Sequence, residues 1–258
     1  MIDTHCHIFD EAFDADRVEV IARAQSAGVT QMLMPNIDKS TFAPLMRTAR
    51  EYSGYCYPMI GLHPTSVKDD WEDELLFVEQ QLRAGAQGTF VAIGEIGIDG
   101  YWSKEFLEEQ KIVFARQLEL AELNNLPVVI HARDSFNEIF DVLRKEKRSI
   151  NGVFHAFSGS IETYHEIKRS GNFMVGIGGM VTFKTAKLPH VVAQIPLSDI
   201  LLETDSPYLT PAPHRGKRNE SSYLEFVAQK IAEVKNIAVE EVKEVTARNA
   251  IELFKLQE

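Results

Sequence analysis

Short apolar runs alternate with amphipathic helical segments along the whole chain. Eight runs precede the last helical stretch, and they cover residues 2–7, 31–37, 56–63, 90–98, 127–133, 152–157, 173–178 and 200–204. Strands that alternate with helices form parallel sheets, because each crossover helix returns the chain to the same end of the sheet. Eight such repeats predict a (β/α)8 TIM barrel, although periodicity alone also allows an open doubly wound sheet.

Two helical segments stand out between and after these runs. The apolar spacing of Phe106, Val113, Leu118 and Ala121 predicts a helix that residues 124–127 terminate. A second amphipathic segment, Val239–Phe254, follows the last repeat, and we expect it to cap the barrel by packing on its outside. No linker divides the chain, so we expect one domain over residues 1–258.

Composition and charge narrow the functional classes. With 45% hydrophobic and 25% charged residues, the chain has the composition of an ordinary globular protein. No apolar run approaches the roughly 18 residues of a membrane span, and we expect a cytoplasmic protein, a monomer, without membrane contact. The net charge of −11 disfavours broad attraction to nucleic acid, so any such contact must be local. Cys6 and Cys56 form no C-x-x-C pair and are expected in the core.

Polar side chains cluster where the predicted strands end. The set comprises His5 and His7, His63, Glu95, His131 with Arg133, His155, and Glu203 with Asp205. Strands 2 and 7 carry no such cluster. Side chains two apart on a strand face the same side, and the carboxyl ends of barrel strands form the catalytic face. This distribution favours the closed barrel over the open sheet.

The chemistry of this set indicates divalent metal. Imidazole nitrogen and carboxylate oxygen suit zinc, manganese or similar ions, and even four of these five histidines with two of the three carboxylates exceed what one open catalytic ion requires. A lone buried histidine is more often simply hydrogen-bonded, but six ligand-type residues at strand ends are not explained in that way. No G-x-S-x-G elbow is present for a nucleophilic serine. Hydrolysis by metal-activated water is therefore the simpler expectation.

At these positions the sequence resembles the TatD family of metal-dependent deoxyribonucleases. The resemblance rests on D-T-H-C-H at 3–7, G-L-H-P at 61–64, G-E-I-G-I-D at 94–99, H-A-R-D at 131–134, H-A-F-S-G at 155–159 and E-T-D-S-P at 203–207. Any one of these strings is weak, but their order, followed by R-G-K-R-N at 215–219, is specific. The resemblance covers nearly the whole chain.

The resemblance implies a role for each of the six residues. His5, His7 and Asp205 would hold one ion, His131 and His155 the other, and Glu95 would bridge them. The ions would be zinc, magnesium or manganese, and Asp205 would orient or deprotonate the attacking water. Glu203 is either a residue that supports the ligands or one half of a structural ion pair with a lysine or arginine.

The implied substrate is DNA, hydrolysed from single-stranded or frayed 3′ ends. Donors for its phosphates would come from His63, Arg133, Lys184, Arg215 and Lys217. The alternative for residues 215–218 is a solvated loop, the usual fate of a short charge run. Tyr101 and Trp102, just beyond strand 4, either stack on a base or pack a loop.

Two other functions fit the same residues. A metal-dependent amidase, lactonase or esterase, including one that deacylates aminoacyl-tRNA, would use the same centre on a carbonyl group, and the acidic net charge favours it slightly. A catalytically silent binding protein would keep only the barrel. Turnover of a carbonyl substrate, or failure to bind any divalent metal, would identify these alternatives.

Overall fold

Eight strands alternate with helices in the computed structural model, which describes residues 1–85 and 88–257. The strands are β1 Ile2–Asp3, β2 Gln31–Met34, β3 Cys56–Pro58, β4 Ile93–Asp99, β5 Val128–Arg133, β6 Asn151–Phe154, β7 Asn172–Ile177 and β8 Ile200–Leu202. Each apolar run of the sequence contributes one strand. The predicted order of elements is confirmed.

The strands form one parallel barrel. β1 to β3 pair in one ladder and β4 to β8 in another. Single parallel bridges join the two ladders at both seams, between Ile60 and Ile93 and between Cys6 and Ser206. Backbone hydrogen bonds reinforce each seam, with Gly94 N donating to Ile60 O at 2.9 Å and Thr4 N to Leu202 O at 3.0 Å. The sheet therefore closes on itself, which confirms the TIM barrel.

A layer of apolar side chains fills the amino-terminal end of the barrel. Every strand, or the residue beside its end, contributes one member: Ile2, Leu33, Met59, Ala92, Val129, Val153, Met174 and Leu201. Side chains from eight different strands can meet in one cluster only inside a closed barrel. We call this cluster the bottom layer.

Nine helices are present in the described part of the chain. They are α1 Arg17–Ser26, α2 Lys39–Glu51, α3 Trp71–Ala84, α4 Leu107–Asn124, α5 Phe136–Glu146, α6 Ile161–Ser170, α7 Leu188–Val192, α8 Leu224–Lys235 and α9 Val239–Phe254. The stop predicted for α4 is confirmed, because Asn125 ends it in the left-handed conformation (φ 52°) that asparagine tolerates. Within residues 1–85 and 88–257, no helix is long and apolar enough to cross a membrane.

α9 caps the barrel, as expected. Its residues Ala250, Leu253 and Phe254 pack against the bottom layer, so the helix closes the amino-terminal mouth of the barrel. The bottom layer would otherwise be exposed to water, and burial of such apolar surface is favourable. The helical pattern showed which face of α9 is apolar, but it carried no information about which surface that face covers.

Truncation of a buried side chain of α9 should destabilise the whole barrel. Phe254 is 2% exposed, and we expect Phe254→Ala to lower the free energy of unfolding by about 3–5 kcal/mol, because it leaves a cavity beneath the bottom layer. Leu123→Ala is the control, since Leu123 is 70% exposed on α4. Urea denaturation measures both variants. A loss for Phe254→Ala as small as that for Leu123→Ala would contradict the packing described here.

Several strands end earlier than their apolar runs. β1 ends at Asp3 and β3 at Pro58, whereas the runs continue to 7 and 63. Beyond these points the chain stays buried but leaves the regular ladder, as when His7 N donates to Ser206 O at 2.8 Å and His63 N to Ile37 O at 2.8 Å. A buried loop and a buried strand are equally apolar, so the pattern does not separate them. His5, His7 and His63 therefore lie on buried loops beyond the strands, whereas His131 lies within β5.

Candidate metal centre

The six residues assigned as metal ligands lie together at the carboxyl ends of the strands. Strand pleating explains part of this placement, because side chains two residues apart point to the same side. On three strands a polar residue follows a bottom-layer residue by two positions, in the pairs Val129 and His131, Val153 and His155, and Leu201 and Glu203. The same parity that fills the bottom of the barrel therefore directs these polar groups into its upper part.

Glu95 occupies the middle of the cluster. Its Oε2 lies 3.1 Å from His5 Nε2. Its Oε1 lies 2.9 Å from His131 Nδ1, 3.3 Å from His63 Nε2 and 3.4 Å from His155 Nε2. The two oxygens of one buried carboxylate thus face two different groups of imidazoles. This is the arrangement that a bridging ligand requires.

Asp205 lies on the side of the cluster that carries His5 and His7. Its Oδ1 is 3.4 Å from His7 Nε2 and 3.7 Å from His5 Nε2. The main chain holds it in place, since Asp205 N donates to His5 O at 2.9 Å. Its side chain is 15% exposed, against 3% for Glu95. Asp205 is therefore the carboxylate that solvent reaches from the mouth of the barrel.

The unsatisfied polar atoms of the centre fit a bound cation. His5 is fully buried. Its Nδ1 has no hydrogen-bond partner among the described residues, and its Nε2 lies 3.1 Å from Glu95 Oε2 without forming a hydrogen bond. A buried polar atom without a partner is costly. The ligand atoms form three groups, and within each group they lie within 4.8 Å of one another. The groups are His5, His7 and Asp205; His5, His155 and Glu203; and His63, Glu95 and His131. This set of nitrogen and oxygen donors suits divalent ions.

Electrostatics couple the carboxylates to the histidines. Burial alone would raise the pKa of Glu95, but the surrounding imidazoles, His63 foremost, hold that pKa well below its usual range. Burial would lower the pKa of His155, but the Glu203 and Glu95 carboxylates raise it to about 10. The pKa of His131 is likewise raised against the effect of burial, by hydrogen bonds to Asp99 and Glu95. At neutral pH these contacts therefore keep His155 protonated, and they strengthen the hold of His131 on its proton.

Metal binding should displace these protons. An imidazole nitrogen must lose its proton before it binds a metal ion. Because the pKa of His155 is raised to about 10, the proton is held up to that pH, and the affinity for metal should increase as pH rises from 6 to 9. Titration of Mn²⁺ at pH 7 in Pipes and in Tris should show buffer-dependent heats that correspond to release of about one proton or more. Identical heats in both buffers would contradict this prediction.

Glu203 lies beside His155. Its Oε1 accepts a hydrogen bond from Ala156 N at 2.6 Å and lies 3.1 Å from His155 Nδ1. In the described chain its ion-pair partner is this histidine, so the alternative pairing with a lysine or arginine is wrong. Carboxylates that contact the distal nitrogen of a metal-binding histidine orient its ring. The position of Glu203 agrees with a supporting role for His155.

Asp99 makes the corresponding contact with His131, a role that the sequence did not predict. Its Oδ2 lies 2.8 Å from His131 Nε2, so that His131 Nδ1 faces Glu95. Asp99 is the last residue of β4 and pairs in register with Arg133. The one signal in the sequence was a carboxylate four residues after Glu95, on the same strand and of the same parity.

His63 was predicted to contact substrate phosphate, but it lies among the candidate metal ligands. Its Nε2 lies 3.3 Å from both Glu95 Oε1 and His131 Nδ1, while its Nδ1 is 2.7 Å from Thr65 Oγ1. His63 is therefore a seventh candidate ligand. The run of residues 56–63 did not reveal this, because the turn after β3 carries the ring inward.

The predicted phosphate-binding cations lie at the end of β5 and on loops of the same face. The Arg133 guanidinium stacks over the Tyr101 ring at 3.8 Å, and that of Arg215 stacks over Phe183 at 3.8 Å and donates to Thr210 O at 2.9 Å. Lys184 and Lys217 are exposed. Arg218, in contrast, is engaged by Asp16, with its Nη atoms 2.7 and 2.9 Å from the carboxylate. In the loop after β8, Arg218 therefore makes a structural ion pair, whereas Lys217 is exposed and available to a ligand.

Comparison with known proteins agrees with this centre. Residues 2–255 match the family model described as TatD related DNase. An uncharacterised metal-dependent hydrolase of Bacillus subtilis, YabD, is 40% identical over 258 residues, with 99% of each chain covered. The human protein named deoxyribonuclease TATDN3 is 33% identical over 265 residues, which cover 98% of this chain and 94% of the human protein.

A solved structure shares the fold in full. The crystal structure of YjjV, a TatD homologue of Escherichia coli, superposes with a TM-score of 0.92 at 28% sequence identity. The superposition covers 100% of this chain and 98% of YjjV. The two chains therefore share the same fold over their whole aligned length.

Proposed function

Because this chain belongs to the TatD family of metal-dependent hydrolases, we propose that it is a deoxyribonuclease that shortens single-stranded or frayed DNA from the 3′ end with two divalent ions. The observation that carries the proposal is the position of Glu95, whose two oxygens face separate groups of imidazoles. A phosphodiester is the substrate class for which paired ions are most often used. The preference for 3′ ends rests on the family resemblance.

Each side chain of the centre has a defined task in this proposal. His5, His7 and Asp205 would hold one ion, His131 and His155 the other, and Glu95 would be shared. When bound, such ions lower the pKa of water and offset the negative charge that grows on phosphate oxygens. His63 contributes a further nitrogen beside His131. Zinc, magnesium and manganese are all compatible with these donors.

Asp205 is the proposed proton acceptor. Burial would raise its pKa, but the hydrogen bond from His7 and the charge of His155 lower it, so the carboxylate is ionised at neutral pH. It is also the carboxylate of the centre that is open to the mouth. An ionised, accessible carboxylate beside the reacting water can remove its proton.

The test of the proposal is hydrolysis of an end-labelled strand. Purified chain loaded with Mn²⁺ should convert 5′-labelled single-stranded DNA into a ladder that shortens from the 3′ end, and His131→Ala should abolish this activity while the protein remains folded. His165→Ala is the matched control, because His165 is exposed on α6. RNA of the same sequence and a panel of carbonyl esters and amides are tested in parallel. Turnover of a carbonyl substrate with DNA untouched would reject the nuclease proposal.

The cations of the loop after β8 should bind the DNA backbone. We expect the double variant Arg215→Ala, Lys217→Ala to raise KM for DNA and to reduce the salt dependence of log KM by about 1 to 2, because each lost phosphate contact lowers the slope by about 1. The control is Arg144→Ala, Lys145→Ala on α5, outside the mouth. If the two double variants show the same salt dependence, residues 215–217 form only a solvated loop.

A further inference from the structure

Exposed aromatic side chains are concentrated at the mouth of the barrel. Among the described residues, Tyr101, Trp102 and Tyr208 are 54%, 69% and 56% exposed. Tyr101 and Trp102 follow β4, and Tyr208 follows β8 with its ring 6.1 Å from that of His7. Large apolar surface left in water is unfavourable unless a ligand covers it. The mouth is therefore the surface where a flat apolar group is expected to bind.

The loop after β4 holds its two aromatic rings in a defined orientation. Tyr101 N and Trp102 N both donate to Asp99 Oδ1, at 2.9 and 3.0 Å. Gly100 N donates to Arg133 O at 2.9 Å, and the Arg133 guanidinium lies 3.8 Å from the centroid of Tyr101 and 5.2 Å from that of Trp102. A ring that is already oriented loses little conformational entropy when it stacks on a ligand.

Asp99 connects this loop to the metal centre. While Oδ1 binds the two backbone amides, Oδ2 lies 2.8 Å from His131 Nε2. The Asp99 carboxylate therefore contacts both the loop that carries the exposed rings and a candidate ligand. A group that stacks on Trp102 would therefore lie on the side of the mouth that carries His131.

A cavity of about 240 Å³ opens beside Trp102. Its walls are Thr65, Val67 and Lys68 on one side and Trp102, Ser103 and Phe106 on the other. Thr65 also contacts His63, so the cavity adjoins the centre from the β3 side as well. The lining also includes the carboxylates of Asp99 and Glu105. Apolar walls with a few polar groups are typical of small-molecule sites. They match a nucleobase, which has apolar faces and a polar edge and is followed by a phosphate.

We propose that this cavity is a base subsite, in which the nucleobase next to the scissile phosphate stacks on Trp102. Lys68 lies at the cavity wall, where it meets the adjoining phosphate. The subsite rests on the proposed function, since it names the part of a DNA substrate that the mouth receives. Stacking on an aromatic ring requires an unpaired base and tolerates any sequence. The subsite therefore accounts for a preference for single-stranded or frayed ends over intact duplex.

Fluorescence of Trp102 tests the subsite without hydrolysis. The chain contains two tryptophans, so Trp71→Phe leaves Trp102 as the single reporter. The probes are a phosphorothioate oligothymidylate and a phosphorothioate oligomer of the same length with abasic residues, each titrated with Mn²⁺ and again with EDTA. We expect the oligothymidylate alone to quench Trp102 and to bind about tenfold to a hundredfold more tightly than the abasic oligomer.

Two substitutions complete the test. In a Trp71-containing chain, Trp102→Ala should abolish the difference in affinity between the two oligomers, measured by fluorescence anisotropy, and Trp102→Phe should retain most of it, because a ring remains. Equal binding of both oligomers by the unsubstituted chain, or an unchanged difference in Trp102→Ala, would overturn the proposal. Neither measurement depends on cleavage, so loss of the nuclease proposal and loss of the base subsite are separate results.

Discussion

Glu95→Gln is expected to reduce hydrolysis by about a thousandfold or more and to lower the metal content of the purified protein. The substitution keeps the shape of the side chain but removes the negative charge that faces His5 on one side and His131 and His155 on the other. Ions in such centres contribute several kcal/mol to transition-state stabilisation, and each 1.36 kcal/mol corresponds to about tenfold in rate. Steady-state kinetics and elemental analysis of the same preparation measure the two effects.

The control for this prediction is Glu240→Gln, at an exposed position in the first turn of α9. It removes the same charge far from the mouth and should leave metal content and rate unchanged. A Glu95→Gln protein that binds the normal amount of metal and keeps more than a tenth of the rate would show that the carboxylate is not shared between ions. Circular dichroism of both variants verifies that the barrel is intact.

Asp205→Asn is expected to lower kcat by about a hundredfold to ten-thousandfold, the usual contribution of a general base. The amide retains the size of the side chain but cannot accept the proton of the reacting water. Because Asp205 also faces His5 and His7 at 3.7 and 3.4 Å, the variant should lose part of the metal from that side. Excess Mn²⁺ separates the two causes.

If saturating Mn²⁺ restores the rate, Asp205 acts only as a ligand and the assignment of the proton acceptor is wrong. If metal content is restored and kcat stays low, the carboxylate acts on the water. Ser206→Ala is a useful neighbouring control, since it changes the adjacent buried side chain without touching the carboxylate. These outcomes distinguish loss of metal from loss of proton transfer.

The candidate ligands were predictable because barrel geometry is strongly constrained. Once eight apolar runs indicate a closed parallel barrel, the carboxyl end of every strand must lie on one face. The two-residue parity then directs His131, His155 and Glu203 into the mouth, as the structure shows. Membership of the TatD family, shown by the match over residues 2–255, agrees with this reasoning.

Contacts between distant loops were not predictable in this way. The approach of His63 to Glu95, the contact of Asp99 with His131, and the pairing of Arg218 with Asp16 all depend on how loops fold over the mouth. A loop has no period, so the positions of its polar residues do not reveal where they point. The same limitation applied to the strand ends, where buried loops are as apolar as strands.

The sequence by itself determined the parallel barrel, the family and the six ligand-type residues, because strand periodicity, the polar residues at the strand ends and the order of short motifs are properties of the chain alone. The tertiary structure decided the rest: that α9 closes the bottom of the barrel, that Glu203 and Asp99 support histidines, and that Trp102 faces an open cavity. Each of these facts is a contact between residues far apart in the chain. Such contacts are set by the packing of the whole molecule, and no local pattern encodes them.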